Sequence, residues 1–216
     1  MSNDQLVSDV ADELFWDPKV DSAAVAVAAA DGNVTLRGTV GSFREKREAQ
    51  KAAERVYGVT GVENELQVKL MSDSKRDDAE LRADVLKALM LDTFVPNTVD
   101  ARAYEGFVTL TGSADWQYQR DEADFVASNV RGVAGLVNEI ELTGPPPSAG
   151  DVKDGIKDAL KRNAKLDAND LSVETSGRTV TVKGRVSSWA EHDQAIEAAW
   201  AAPGVQKVHD RILVLY

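Results

Sequence analysis

The stretch NVTLRGTV, Asn33 to Val40, decides the fold, because the chain writes it three times. FVTLTGSA covers Phe107 to Ala114, and TVTVKGRV covers Thr179 to Val186. In the first version Val34, Leu36 and Val40 alternate with Thr35, Arg37 and Thr39. That is the pattern of a strand with one buried and one wet face. Val180, Val182 and Val186 alternate in the same way with Thr181, Lys183 and Arg185. Each version carries a glycine on the apolar parity: Gly38, Gly112 and Gly184. A glycine there weakens a strand but admits a second backbone.

The repetition extends outward from the strand. Gly58, Gly132 and Gly204 keep the spacing of the strand glycines, and so do Val62, Leu136 and Val208. Upstream, Leu6, Val10 and Leu14 have the four-residue spacing of one helix face. Leu81, Val85 and Leu89 repeat it, as do Val152, Ile156 and Leu160. Short β-type segments follow at 24–28, 98–103 and 171–174. Turns are expected at Asp31-Gly32, Glu105-Gly106 and Ser176-Gly177. After the quoted strand, Ser42 with Glu45 and Ser188 with Glu191 fit a capping box. The middle copy has Trp116 at the serine position.

The second helix of each copy carries small residues on one face: Ala49, Ala53 and Val56; Ala123, Ala127 and Val130; Ala195, Ala199 and Ala202. These alanines are expected to face the strand glycine as a close-packing pair. Gly-Val turns at 58, 132 and 204 end that helix, and a last strand follows over 62–70, 136–142 and 208–215. The unit is αββαβ. The fold class is α+β: three tandem copies, each a three-stranded mixed sheet with two helices on one face. The boundaries read as copy 1 at 1–71, a polar linker at 72–78, copy 2 at 79–143, a proline-rich linker at 144–150 and copy 3 at 151–216.

Composition limits the chemistry. The chain of 216 residues has no cysteine, which removes disulfides, thiolate nucleophiles and Cys-based zinc sites. It has neither a secretory signal pattern nor an apolar run of membrane-spanning length, so it reads as cytoplasmic and soluble. The net charge of −11 divides as −4, −7 and 0 over residues 1–71, 72–143 and 144–216. Such a surface repels phosphate backbones, so nucleic acid is not an expected partner and anionic lipid is disfavoured.

The third copy, VTVKGRVSSWAEHDQAIEAAWAAPGVQKVHDRILV, resembles the BON domain (bacterial OsmY and nodulation). Val180, Val182, Gly184, Val186, Ser188, Gly204, Val205, Val208, Asp210 and Ile212 match the family pattern. Asn64 and Asn138 stand where the third copy has Asp210. Tyr57 and Arg131 replace the proline before the turn glycine, and Ala114 replaces a strand valine. The resemblance covers nearly the whole chain. It implies αββαβ units and no catalytic residues. Members occur in osmotic-shock and envelope proteins, some of which bind phospholipid or assist other proteins. One cytoplasmic member binds potassium and carries a LysM segment, which is not evident here.

No catalytic residue is expected. His192 and His209 have no partner at ligand spacing and read as surface residues. The runs at 121–124 and 9–13 match no calcium loop and read as solvated helix faces. No metal ligand set is legible. A weakly bound cation held by backbone carbonyls is the one cofactor-like species left open. Candidate partner contacts are the corner aromatics Phe43, Trp116, Tyr118 and Trp189. Trp16 and Trp200 read as core. Gly38, Gly112, Gly184, Gly58, Gly132 and Gly204 read as turn and packing positions. The uncharged face of Thr109, Thr111 and Ser113 is the expected contact between sister copies. The leading expectation is a non-enzymatic tandem binding or scaffold protein related to osmotic stress, its partner a protein or small ligand. Potassium binding or sensing is the alternative, and phospholipid or membrane-surface binding a further one.

Overall fold

The computed structural model describes residues 2–70, 76–144, 158, 171–202 and 204–215. The predicted linkers and the first helix of copy 3 (Val152, Ile156, Leu160) fall mostly outside these residues. The chain divides into two compact units. One holds residues 1–112 and 121–140, and the other holds residues 113–120 and 141–216.

In the first unit, copy 1 runs α1 (Asn3–Trp16), β1 (Val25–Ala30), β2 (Asn33–Val40), α2 (Phe43–Glu54), β3 (Gly61–Asn64) and β4 (Gln67–Val68). The strand order is β1-β2-β3, with β4 also on β2, so the quoted stretch is the central strand. β1 pairs antiparallel and β3 parallel to it. The predicted helix face is buried: Leu6, Val10 and Leu14 pack with Val34, Leu36, Val40, Ala49, Ala52 and Ala53. Truncating the fully buried Leu36 to alanine would cost about 2–5 kcal/mol. Ser2 caps α1 and Ser42 caps α2. Arg55 of α2 ties back to Glu13 and Asp17 at the end of α1.

Copy 2 follows with α3 (Asp78–Leu91), β5 (Asp100–Tyr104), β6 (Phe107–Thr111), β7 (Ser113–Ala114), α4 (Gln117–Ser128), β8 (Gly135–Asn138) and β9 (Glu141–Leu142). β5, β6 and β8 belong to the first unit and repeat the order of copy 1. Asp77 caps α3 and Asp78 opens it, although both were assigned by sequence to the linker. The polar run reads as spacer, yet Asp77 accepts from the Ala79 N–H at the helix start and Asp78 from the Glu105 and Gly106 N–H groups. In the second unit β7 pairs with β9, and copy 3 supplies β10 (Leu171–Ser176), β11 (Thr179–Val186), α5 (Trp189–Trp200) and β12 (Lys207–Val214). The core of copy 3 joins Val180, Val182 and Val186 to Ala195, Ala199, Ile212 and Val214.

The three copies share one register. Asn33 faces Gly61, Phe107 faces Gly135 and Thr179 faces Lys207, each partner 28 residues on. The hairpin turns of copies 1 and 2 put both central residues at positive φ: 49° and 84° at Asp31-Gly32, 49° and 82° at Glu105-Gly106. That backbone twist matches the strands. Copy 3 differs from expectation, because its turn residues are Gly177 and Arg178 and β10 runs on through Ser176. Its last strand is continuous, whereas copies 1 and 2 break theirs between β3 and β4 and between β8 and β9.

The strand glycines do not face the alanine helix. Gly38 is exposed, with φ of 129°, and a Cβ placed on it would stand 1.9 Å from the carbonyl oxygen of Ala24. At Gly112, with φ of 109°, the Thr98 carbonyl would be 2.1 Å away. Gly184 shares the positive φ, at 143°. The backbone that comes close is therefore the segment leading into the neighbouring strand. The glycine ends the antiparallel pairing, while the alanines pack on Val34 and Leu36. Gly58, Gly132 and Gly204 also have positive φ, as a helix-ending glycine does.

Candidate interaction surface

The predicted corner residues divide on exposure. Phe43, Trp116 and Trp189 are half-buried at the starts of their helices, and Tyr118 is 55% exposed. Trp189 packs on the core of copy 3 and meets His192 edge-on, 4.8 Å between ring centres. Trp116 has no hydroxyl for the Gln119 N–H, which bonds the Trp116 carbonyl at 3.2 Å instead, while the Gln119 side chain takes the part of Glu45 and Glu191. The Gln119 Oε1 accepts from the N–H of Asp115 at 3.0 Å and of Trp116 at 3.1 Å.

The most exposed large apolar groups lie elsewhere. Phe15 and Trp16 end α1 with 71% and 78% of their surface open, so the core assignment of Trp16 is wrong. They meet edge-on at 5.8 Å. Met90 and Leu91 end α3 with 85% and 76% open. The two pairs are equivalent, since each follows the last buried leucine of its helix, Leu14 or Leu89. The signal was present in the sequence. The buried positions 6, 10 and 14 define one face, and residues 15 and 16 project away from it.

Sister contacts within the first unit include α2 against α4. The Arg44 guanidinium lies over the Phe125 ring, 5.2 Å from its centre, and donates to Asn129, while Arg47 pairs with Asp124. The expected sheet face leaves Tyr104, Phe107 and Val137 open. A cleft of about 430 Å³ beside the helix contact is lined by Lys19, Arg44, Glu45, Asn129 and Arg131. Lys19 and Arg44 both pair with the buried carboxylate of Glu48, so neither offers its charge freely. On the wet strand faces, Arg37 pairs with Glu65 and Lys183 with Glu174.

The position of Asn64 explains itself. Its Nδ2 donates to the Lys46 carbonyl of α2 at 2.8 Å, and its Oδ1 accepts from Leu66 N–H. This bonding fixes helix to strand where β3 ends. Copy 3 has Asp210 there, which keeps the acceptor role toward Ile212 N–H but has no N–H to give. His192, at the place of Lys46, supplies the proton-bearing group instead, with Nε2 2.7 Å from Asp210 Oδ2. Its side chain is only 12% exposed, so the surface reading of His192 fails; His209 is exposed. Burial lowers the His192 pKa, but the hydrogen bonds to Asp193 and Asp210 and their charges outweigh it, and the net shift is upward. Among the described residues no three His, Asp or Glu side chains stand close enough to hold a metal, and no helix is long and apolar enough to cross a membrane.

The BON domain model matches residues 2–69, 77–144 and 148–216. The chain belongs to the BON domain family. Osmotically-inducible protein Y of Escherichia coli (strain K12) is 29% identical to this BON chain over 146 residues, 65% of this chain and 73% of that one. Two solved structures are loosely similar. Both come from CdsD, a structural protein of the type III secretion system of Chlamydia trachomatis. The first has 15% identity and a TM-score of 0.28 over 98% of this chain and 92% of its own. The second, the C-terminal domain, has 14% identity and a TM-score of 0.27 over all of both chains.

Proposed function

We propose that this three-copy BON chain is a non-enzymatic binding or scaffold protein of the osmotic-stress response. Likeness to an osmotically inducible protein supports the stress assignment. The carrying observation is the pair of exposed apolar groups set at one equivalent place in two copies, Phe15-Trp16 and Met90-Leu91. Exposed apolar groups held together at a fixed place mark contact sites. Two such tips on one unit let weak contacts add through effective concentration. A photo-crosslinking residue at position 16 or 91, used in osmotically stressed cells, tests this reading. It should trap discrete partners, and serine at all four tip positions should remove them without lowering the melting temperature. A turnover abolished by one point mutation would overturn it.

The net charge of −11 supports a second reading, cation binding or sensing. Potassium should then raise the melting temperature more than sodium at equal ionic strength. Equal melts remove that reading.

A further inference from the structure

The two described first copies treat the outer edge of their sheets differently. In copy 2, β5 is an edge strand, and Ala101 is its central outward-facing residue. The turn pair Tyr104–Phe107 is hydrogen-bonded, so alternation turns the polar groups of Ala101 away from β6. Both groups are already taken. Arg82 of α3 donates from Nε to the Ala101 carbonyl at 2.6 Å and from Nη2 to Asp100 at 2.9 Å. Asp100 Oδ1 in turn accepts from the Ala101 N–H at 2.8 Å. The pair closes the edge against a further strand.

Copy 1 lacks this device. Val7 stands where copy 2 has Arg82, and Ala26 where it has Asp100. By the same alternation, Val25, Val27 and Ala29 point their N–H and C=O groups outward from β1. Among the described residues no strand pairs with that side, and of its outward N–H groups only that of Val25 is bonded, to the Ser22 carbonyl. The strand reads VAVAAA, without charge or proline. Ala26, Ala28 and Ala30 are exposed.

We propose that β1 is a homodimer interface: two copies of the chain join β1 to β1 antiparallel about a two-fold axis at Val27. That register sets Val27 against Val27 and Val25 against Ala29, giving about four N–H···O bonds across the axis, while the Val25 N–H stays with Ser22. Alanine meets alanine on the open face, so nothing bulky blocks the approach. The flanking acids do not meet, because Asp31 falls opposite Ala23 and Asp21 opposite Asn33. The partner is therefore a second copy, admitted by an uncharged edge on an otherwise acidic unit. A two-fold contact of this kind is self-complementary and closes at two chains.

Sedimentation of the full chain tests the interface. The expected mass is twice 23.3 kDa at high concentration, with the amides of Val27 and Ala29 protected from hydrogen exchange. The double variant V7R/A26D transplants the closing device of copy 2 and should give the monomer mass with an unchanged circular dichroism spectrum. V27P, which removes one outward N–H without touching the β2 ladder, is the second variant and should also weaken association. A wild-type chain that stays at 23.3 kDa throughout the accessible range overturns the proposal, as does a folded V7R/A26D or V27P variant that dimerises like wild type.

Discussion

Replacing Gly38 with alanine should destabilise copy 1 strongly, although the site is exposed. Two contributions follow from the structure. The φ of 129° is one that L residues rarely adopt, and holding a side chain there costs about 1–3 kcal/mol. The new Cβ would also sit 1.9 Å from the Ala24 carbonyl oxygen, where carbon and oxygen need more than 3 Å. That oxygen belongs to backbone, so β1 must shift by about 1 Å at its start, at a further cost of about 1–2 kcal/mol. A total of about 3 kcal/mol lowers the melting temperature by about 10–15 °C for a unit of this size. Calorimetry of G38A beside G41A is the assay. A Cβ on Gly41 meets only the flexible tip of Glu45, at 3.4 Å, so G41A should melt within about 2 °C of wild type. The reasoning is refuted if G38A melts like G41A, or if trimming Ala49 to glycine restores G38A. Rescue of that kind would put the crowding back on the helix.

N64D should cost copy 1 about 1–3 kcal/mol in urea unfolding, because the carboxylate leaves the Lys46 carbonyl without its donor. Adding K46H should recover part of the loss by the arrangement that copy 3 uses; an unchanged midpoint for N64D would refute the role given to Asn64. In copy 3, the folded pKa of His192 is raised, so its pairing stabilises fully below about pH 6.5 and the contribution is lost as pH rises through the folded value. The size is about 1 kcal/mol, since Asp210 is 43% exposed and partly screened. D210N should flatten this decline above about pH 6.5. A wild-type stability that rises over the same interval would refute it.

Much of the architecture was legible in the residues. The spacing of Val34, Leu36 and Val40, the helix face of Leu6, Val10 and Leu14, and the common offset of the glycines all report local periodicity. Among the described residues, burial followed that periodicity. The candidate surface was half legible. Phe15 and Trp16 lie off the buried helix face, which the sequence shows, but an aromatic at a helix end reads as core by composition. Tyr118 and Trp189 look alike as corner aromatics, and only packing separates the exposed one from the one against the core.

The sequence by itself determined the repeat, the order of elements and which side of each element is apolar. These depend on dihedral preference and on periods of two and 3.6 residues, which neighbouring residues set. Tertiary structure decided what the conserved spacing is for. Gly38 makes room for the Ala24 carbonyl rather than for an alanine helix. His192 answers an asparagine-to-aspartate change 18 residues away. Arg82 closes an edge that Val7 leaves open. Each is a contact between residues distant in the chain, and its distance and direction are fixed only when strands and helices are in register.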